Sequence, residues 1–352
     1  MGDDLSRTCR SRSGFTILEL LVSMGIIALL VAILLPAVQQ SRAAARRAHC
    51  QNNLRNVAFA LLNVAESNGR FPAAGNFGRL GTHHSWVVDV LPWLELSNLA
   101  DRWDKDKTVG STTNEPLSRT YIPVITCPDD ITVVRYGDLS FVVNGGVGFT
   151  IQNEEGTHDC PVDPSGRRLD LNANGVACPP DETSDGSPSD KDQFLKLGLF
   201  FNETWKWDVT QRNHRIATVL DGMSNTMMLT ENVRTGFDPD RPAASWASPN
   251  PYLTSFYIGN PCRNGDCSEG AVDYSLANSG TYAINSGLAR PEGTSAVPNS
   301  FHAGGVNVAF CDGRIRFVSE QLDGRVYAAW ASPQGGRLHG TPLEQQPIFG
   351  LD

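Results

Sequence analysis

One carboxylate stands where it is costly: Glu19, inside the apolar run FTILELLVSMGIIALLVAILL at residues 15–35. A charge at the centre of a membrane-spanning helix costs about 2.5–3.5 kcal/mol, so Glu19 needs either water or a partner. It can snorkel to the edge of an anchor. It can instead meet an ammonium from a neighbouring chain, where each charge satisfies the other and either alone would be expensive. His302 and Asp312 are a second candidate pair, for acid–base or metal chemistry. Ten residues of extended chain separate them by roughly 33 Å, so the plainer expectation is that His302 bonds a loop carbonyl and Asp312 serves a turn. A third set, Asp170, Asn172 and Asn174 with Gly175 at the sixth position and Asp181 at the twelfth, has the spacing of a calcium loop. Pro179-Pro180 excludes the usual exiting helix, and an ordinary turn rich in Asp, Asn and Gly gives the same spacing. Calcium is the one cofactor the sequence raises.

Sulfur is the remaining reactive element. Of eight cysteines, Cys9 precedes the apolar run, leaving Cys50, Cys127, Cys160, Cys178, Cys262, Cys267 and Cys311. No Cys-x-x-Cys occurs, so disulfides in an oxidising compartment, with one thiol left over, fit better than zinc; free buried thiols are the alternative. Short loops close at least entropic cost, which favours Cys160 with Cys178 and Cys262 with Cys267. There is no Gly-x-Ser-x-Gly, Walker loop or His-Glu-x-x-His, and no enzyme is expected.

The elements that position these residues begin with the 21-residue run at 15–35, which as a helix is about 32 Å long, one hydrocarbon thickness. Beyond Pro36 no Gly or Pro occurs until Gly69, and Ala44, Cys50, Leu54, Val57, Ala58, Leu61 and Val64 recur at three- and four-residue spacing. That is an amphipathic stripe able to pack on a sheet. A secretory signal peptide with a small-x-small site at Ala43-Ala44-Ala45 competes, but the apolar stretch and the segment after it are both long for one. From 71 onward, short apolar runs alternate with Gly, Pro, Asn and Asp, predicting an α+β head with long loops. A short helix is expected within 85–94, and strands near 121–127, 139–143, 197–202, 215–220, 226–230 and 243–246. The stretch 154–192 reads as an insertion in a surface loop. In FHAGGVNVAFCDGRIRFV at 301–318, apolar residues alternate around Asp312-Gly313, predicting a β-hairpin with a type I′ turn.

Two resemblances sharpen this reading. Arg-Ser-Gly-Phe-Thr-Ile-Leu-Glu at 12–19 resembles the type IV prepilin cleavage and methylation motif. It implies a leader at 1–14, cleavage between Gly14 and Phe15 by a prepilin peptidase, N-methylation of Phe15, and Glu19 as the residue that sets assembly register. His302, nine residues, then Asp312-Gly313 resembles the C-terminal signature of the pilin-like family called domain of unknown function 1559, also catalogued as a bacterial solute-binding type. RAHCQNNL at 47–54, residues 85–95, Cys127-Pro128-Asp129, Asn144-Gly145-Gly146 and Asp221-Gly222-Met223-Ser224-Asn225-Thr226 point the same way. Together they imply a pilin-like α+β fold: a spine helix at 15–68, transmembrane at 15–35, packed on a mainly antiparallel sheet in a head at 71–352.

Charge narrows the partners. The net charge is −9, and without residues 1–14, which carry net +1, it becomes −10; the one Arg cluster is Arg42, Arg46 and Arg47. Phosphate binding needs a concentrated basic face, so no nucleic-acid partner is expected. The expected partners are the membrane, the prepilin peptidase and other pilin-like subunits. The expected place is the inner membrane, crossed once, with the head in the periplasm or at the exterior. A pseudopilin or minor-pilin-like subunit of a type II secretion or type IV pilus-like system is the first reading. A tethered solute- or polysaccharide-binding module that never assembles is the second, and an anchored hydrolase the third.

Overall fold

The computed structural model describes residues 16–78, 81–152, 159–177, 189–204, 214–237, 244–262, 267, 272–338 and 343–345. The chain divides into two compact units, Met1–Arg46 and Arg47–Asp352, and the boundary falls inside the first helix rather than at its end. Helix α1, Ile17–Asn68, passes through Pro36 without ending.

In the first unit, α1 opens on a reciprocal cap. Thr16 donates its N–H and its Oγ1 hydroxyl to Glu19 Oε2, both at 2.9 Å, and the Glu19 N–H donates back to Thr16 Oγ1 at 3.2 Å. Thr at the cap and Glu three residues on satisfy two orphan donors of the first turn. The apolar residues that follow, Leu20 to Leu35, are exposed on every side. A helix apolar all round is suited to a non-aqueous surrounding.

The second unit begins at Arg47. The last part of α1 buries Cys50, Leu54, Val57, Ala58, Leu61 and Val64, the stripe expected from the spacing except for Ala44, which is exposed. Gly69, at φ +74°, then turns the chain out of the helix. Strands β1 (Gly75–Gly78) and β2 (Gly81–Ser85) pair antiparallel. Helix α2 (Trp86–Val90) follows, its first turn capped by Ser85 Oγ, and continues as a 3-10 turn at Leu91–Leu94. After the short helices α3 (Ser97–Ala100) and α4 (Glu115–Ser118) come β3 (Phe141–Asn144), then β4 (Phe149–Gln152) with its antiparallel partner β5 (Asp159–Val162). Helix α5 (Asp190–Phe194) starts on a capping box between Ser189 and Asp192. Then come β6 (Glu203–Thr204), which joins β1, β7 (Met227–Glu231), α6 (Pro251–Thr254), β8 (Ser255–Phe256), β9 (Gly305–Phe310), β10 (Ile315–Ser319) and α7 (Gly324–Ala331).

The central sheet has the order β10-β9-β7-β3-β8, antiparallel except for the β3–β8 pair. Strand alternation sends its residues to two cores. Ala309, Leu229, Phe141 and Val143 pack with the α1 stripe and α2, while Val306, Val308, Phe310 and Val142 pack with Tyr327, Ala328 and Ala331 of α7.

Several local expectations are corrected. Residues 121–127 hold a 3-10 turn at Pro123–Ile125, because Pro123 fixes φ and cannot donate to a ladder. Residues 215–220 hold another, at Ile216–Thr218. Residues 197–202 form no strand; the N–H groups of Leu199 and Phe200 both donate to Asn144 O. The described residues 244–246 are loop. In the β9–β10 hairpin, Gly313 N–H donates to Phe310 O, so Cys311 and Asp312 are the central residues and Gly313, at φ +81°, follows the turn. That is a turn closed by a left-handed glycine rather than a type I′ turn, which would require Asp312 at positive φ as well. The stretch 154–192, expected as a surface loop, feeds the second core through Leu169 and Leu171, both fully buried.

Candidate functional site

Under α1 the sheet carries a buried polar layer, unusual for a surface that otherwise presents Leu, Phe and Val. Glu231, the last residue of β7, and Asn307 of β9 point to this face and are both fully buried. A buried carboxylate must be hydrogen-bonded or paired. Glu231 Oε2 accepts the Asn307 N–H at 2.8 Å, and Oε1 accepts Asn307 Nδ2 at 3.0 Å. The charge is met by His302, in the loop before β9, whose Nε2 lies 3.2 Å from Glu231 Oε1. The other ring nitrogen, Nδ1, lies 3.0 Å from Asp129 Oδ2. With a carboxylate on each ring nitrogen, the charged imidazolium is the form of His302 that can donate to both. Burial opposes that charge, but the Glu231 hydrogen bond and the charges of Glu231 and Asp129 outweigh burial and the repulsion of Arg47, and the His302 pKa is raised.

The elements that hold this cluster are tied together by sulfur. Cys50 of α1 is disulfide-bonded to Cys127, across 77 positions of sequence. Cys127 Sγ lies 3.7 Å from His302 Nε2. Beside the disulfide, Asn53 Nδ2 donates to Pro123 O and Thr126 O at 3.1 and 2.8 Å, and Gln51 Nε2 donates to Asn307 Oδ1 at 3.0 Å. Arg47 lies over the Phe317 ring of β10, 3.6 Å from its centroid. Three segments quoted for the family resemblance, 47–54, Cys127-Pro128-Asp129 and His302, therefore meet in one place. His302 bonds two carboxylates, not the loop carbonyl expected of it.

Asp312 is elsewhere. The six-residue β9, about 20 Å long, separates the two ends of the motif. Asp312 Oδ1 accepts the Arg314 N–H at 2.9 Å, and its own N–H donates to Met223 O. Arg314 also donates to Ser224 O at 2.5 Å. The Asp312-Gly313 turn thus packs on the Asp221–Thr226 turn, in which Asn225 Nδ2 donates to Asp221 O and the Thr226 hydroxyl donates to Gly222 O. The Asp221 carboxylate accepts the Gly335 N–H at 2.6 Å. Gly313 is needed for its positive φ; a Cβ there would also sit 2.9 Å from Cε1 of the half-exposed Phe59 ring of α1.

The other expected site residues are dispersed. Asp170 accepts the N–H groups of Asn174 and Gly175, Asn172 Oδ1 also accepts from Asn174, and Asn174 Oδ1 accepts from Val176. These are turn-building bonds; Asp181 lies outside the described residues. Cys262 and Cys267 are disulfide-bonded as expected. Cys160 is also disulfide-bonded, but Cys178, its expected partner, lies outside the described residues, as do Gly14 and Phe15. Cys311 is a free buried thiol. Glu231 and Asn307 were not expected at all. The signal for Glu231 was a carboxylate directly following the apolar strand candidate at 226–230.

Two family models match the chain. One, described as protein of unknown function (DUF1559), covers residues 39–325. The other, the prokaryotic N-terminal methylation motif, covers residues 9–35. No curated protein and no solved structure matches.

Proposed function

Because the chain belongs to the DUF1559 family and carries a prokaryotic N-terminal methylation motif, the mark of a type IV pilin-like, membrane-anchored protein, we propose that it is a pseudopilin or minor-pilin-like structural subunit. In this reading it assembles through α1 into a type II secretion or type IV pilus-like system, crosses the inner membrane once and holds its head on the periplasmic or exterior side. One observation carries the proposal. The methylation motif ends at residue 35 within a single helix that continues to Asn68, and the second part of that helix is built into the core of the head. A simple anchor has no use for such a continuation.

Glu19 supplies the register. In the single chain it caps its own helix through Thr16. In an assembly it meets the N-terminal amine of a neighbouring copy, because a carboxylate and an ammonium removed from water stabilise each other. His302 supports a structural role over an enzymatic one. Both its nitrogens face carboxylates and the residue is buried, so neither nitrogen is open to a substrate. No cofactor is part of this reading.

The test is the intact mass and N-terminal peptide of the protein extracted from membranes, followed by crosslinking of a Glu19→Ala variant. A chain starting at N-methylated Phe15, with crosslinked multimers at least tenfold depleted in the variant, is the expected result. A chain starting at Met1 would make it a tethered module, and one starting near Arg46 a secreted head. Normal multimers in Glu19→Ala would overturn the assembly role.

A further inference from the structure

The cluster beneath α1 has the donor set of a zinc site locked in its oxidised form. Cys50, Cys127, Glu231 and His302 each offer one ligand atom, all of these atoms lie within 4.8 Å of one another, and all four residues are buried. Two sulfurs, one imidazole nitrogen and one carboxylate oxygen are what a closed tetrahedral zinc site takes, at about 2.3 Å from sulfur and 2.0–2.2 Å from nitrogen and oxygen. We propose that reduction of the Cys50–Cys127 disulfide converts this cluster into a buried zinc site whose ligands are the two thiolates, His302 and Glu231. The inference is independent of the assembly reading.

The surroundings are those of a metal site rather than a chance meeting of side chains. The His302 nitrogen that faces the sulfurs is Nε2, while Nδ1 is held by Asp129 at 3.0 Å. A ligand histidine oriented by a carboxylate on its far nitrogen is the usual outer shell of a protein zinc ion. The second oxygen of Glu231 is fixed by the Asn307 N–H, while Oε1, which also accepts Asn307 Nδ2, lies 3.2 Å from His302 Nε2. Two thiolates, one carboxylate and Zn²⁺ sum to −1, the Asp129 carboxylate on Nδ1 makes it −2, and Arg47, whose charge is felt by His302, offsets half of that excess.

The chemistry balances with a phosphine as reductant. The phosphine takes an oxygen from water and becomes the phosphine oxide, and the disulfide gains two electrons and two protons to give two thiols. Zinc binding then releases both thiol protons and the Nε2 proton of His302, leaving thiolates and a neutral imidazole as ligands. The disulfide and the zinc ion are alternative ways of closing the same buried space. Oxidation state therefore selects between a covalent and a coordinate tie from α1 to the sheet.

The experiment uses the full chain in detergent, reduced with a water-soluble phosphine under anaerobic conditions and titrated with Co²⁺ as a spectroscopic stand-in for Zn²⁺. One equivalent of Co²⁺ should bind, with visible tetrahedral bands and a thiolate charge-transfer band, both lost on adding Zn²⁺. The oxidised chain should show neither. Asp129→Asn keeps all four ligands yet should weaken Co²⁺ binding about 10–100-fold. Cys50→Ser should abolish the bands, and Cys262→Ser/Cys267→Ser should leave them intact. Uptake unchanged in Cys50→Ser or in Asp129→Asn would overturn the site. So would a reduced wild-type chain that takes up no metal, or one whose thermal unfolding is not raised by Zn²⁺.

Discussion

His302 lies in the interior between two carboxylates that favour its charged form, and that arrangement has a pH signature. Its pKa is raised in the folded chain, so the stability it contributes is fully present below the unfolded value near 6.5 and fades as pH rises through the folded value. His214 runs the other way: burial lowers its pKa despite the backbone bonds with Leu195 and Gly198, so it costs stability as pH falls. Comparing wild type with His302→Gln cancels the His214 effect. Removing one partner from a buried ion pair typically costs about 3–5 kcal/mol. The His302→Gln deficit, read by denaturant unfolding of the oxidised chain, should reach about that size at pH 5.5 and shrink at pH 9. An equal deficit at both pH values would mean that the imidazole packs as a neutral ring. The carboxylate facing it, Glu231, was the least legible residue of the site. A Glu after an apolar strand normally marks its exit to solvent, and only the tertiary fold, which lays α1 over the end of β7, buries this one.

At the scale of elements, legibility followed the range of the interactions. The α1 stripe, the short helix within 85–94 and the β9–β10 hairpin were readable because their periods are local. The runs at 121–127 and 197–202 have strand-like composition, yet the first is diverted by Pro123 and the second gives its N–H groups to Asn144. The disulfide pairing shows the same limit. Loop entropy favoured the near pair Cys262–Cys267, but Cys50–Cys127 is brought together by packing across 77 positions, which sequence spacing does not report. The hairpin turn offers a direct test of what its glycine does. Gly313 at φ +81° would impose roughly 1–2 kcal/mol of backbone strain on any residue with a Cβ, and Phe59 adds a contact at 2.9 Å. Gly313→Ala should therefore lower stability by about 1–2 kcal/mol in thermal unfolding. The loss should persist in a Phe59→Ala background, since Phe59 is half-exposed and can move whereas the backbone angle cannot. Full recovery in that background would assign the cost to the ring instead.

Across the whole molecule, the Cys50–Cys127 bond joins the last part of the long helix to the segment that carries Asp129, and so locks the polar layer of the head beneath that helix. A load applied to α1 in an assembly would have to be passed to the sheet, and hydrogen bonds from Gln51 and Asn53 alone are worth about 1 kcal/mol each. A covalent link does not slip. By chain entropy, a cross-link closing 77 positions stabilises the fold by about 4–5 kcal/mol, against about 2 kcal/mol for Cys262–Cys267, which closes 5. Paired Ser replacements should follow that order in denaturant unfolding. Hydrogen exchange gives the sharper reading: in Cys50→Ser/Cys127→Ser the amides of residues 47–68 should exchange faster than those of β7 and β9, because the helix can open while the sheet stays paired. If helix and sheet amides lose protection together in that variant, the disulfide stabilises the head as one cooperative body, and the tie between α1 and the sheet is carried by the apolar stripe alone.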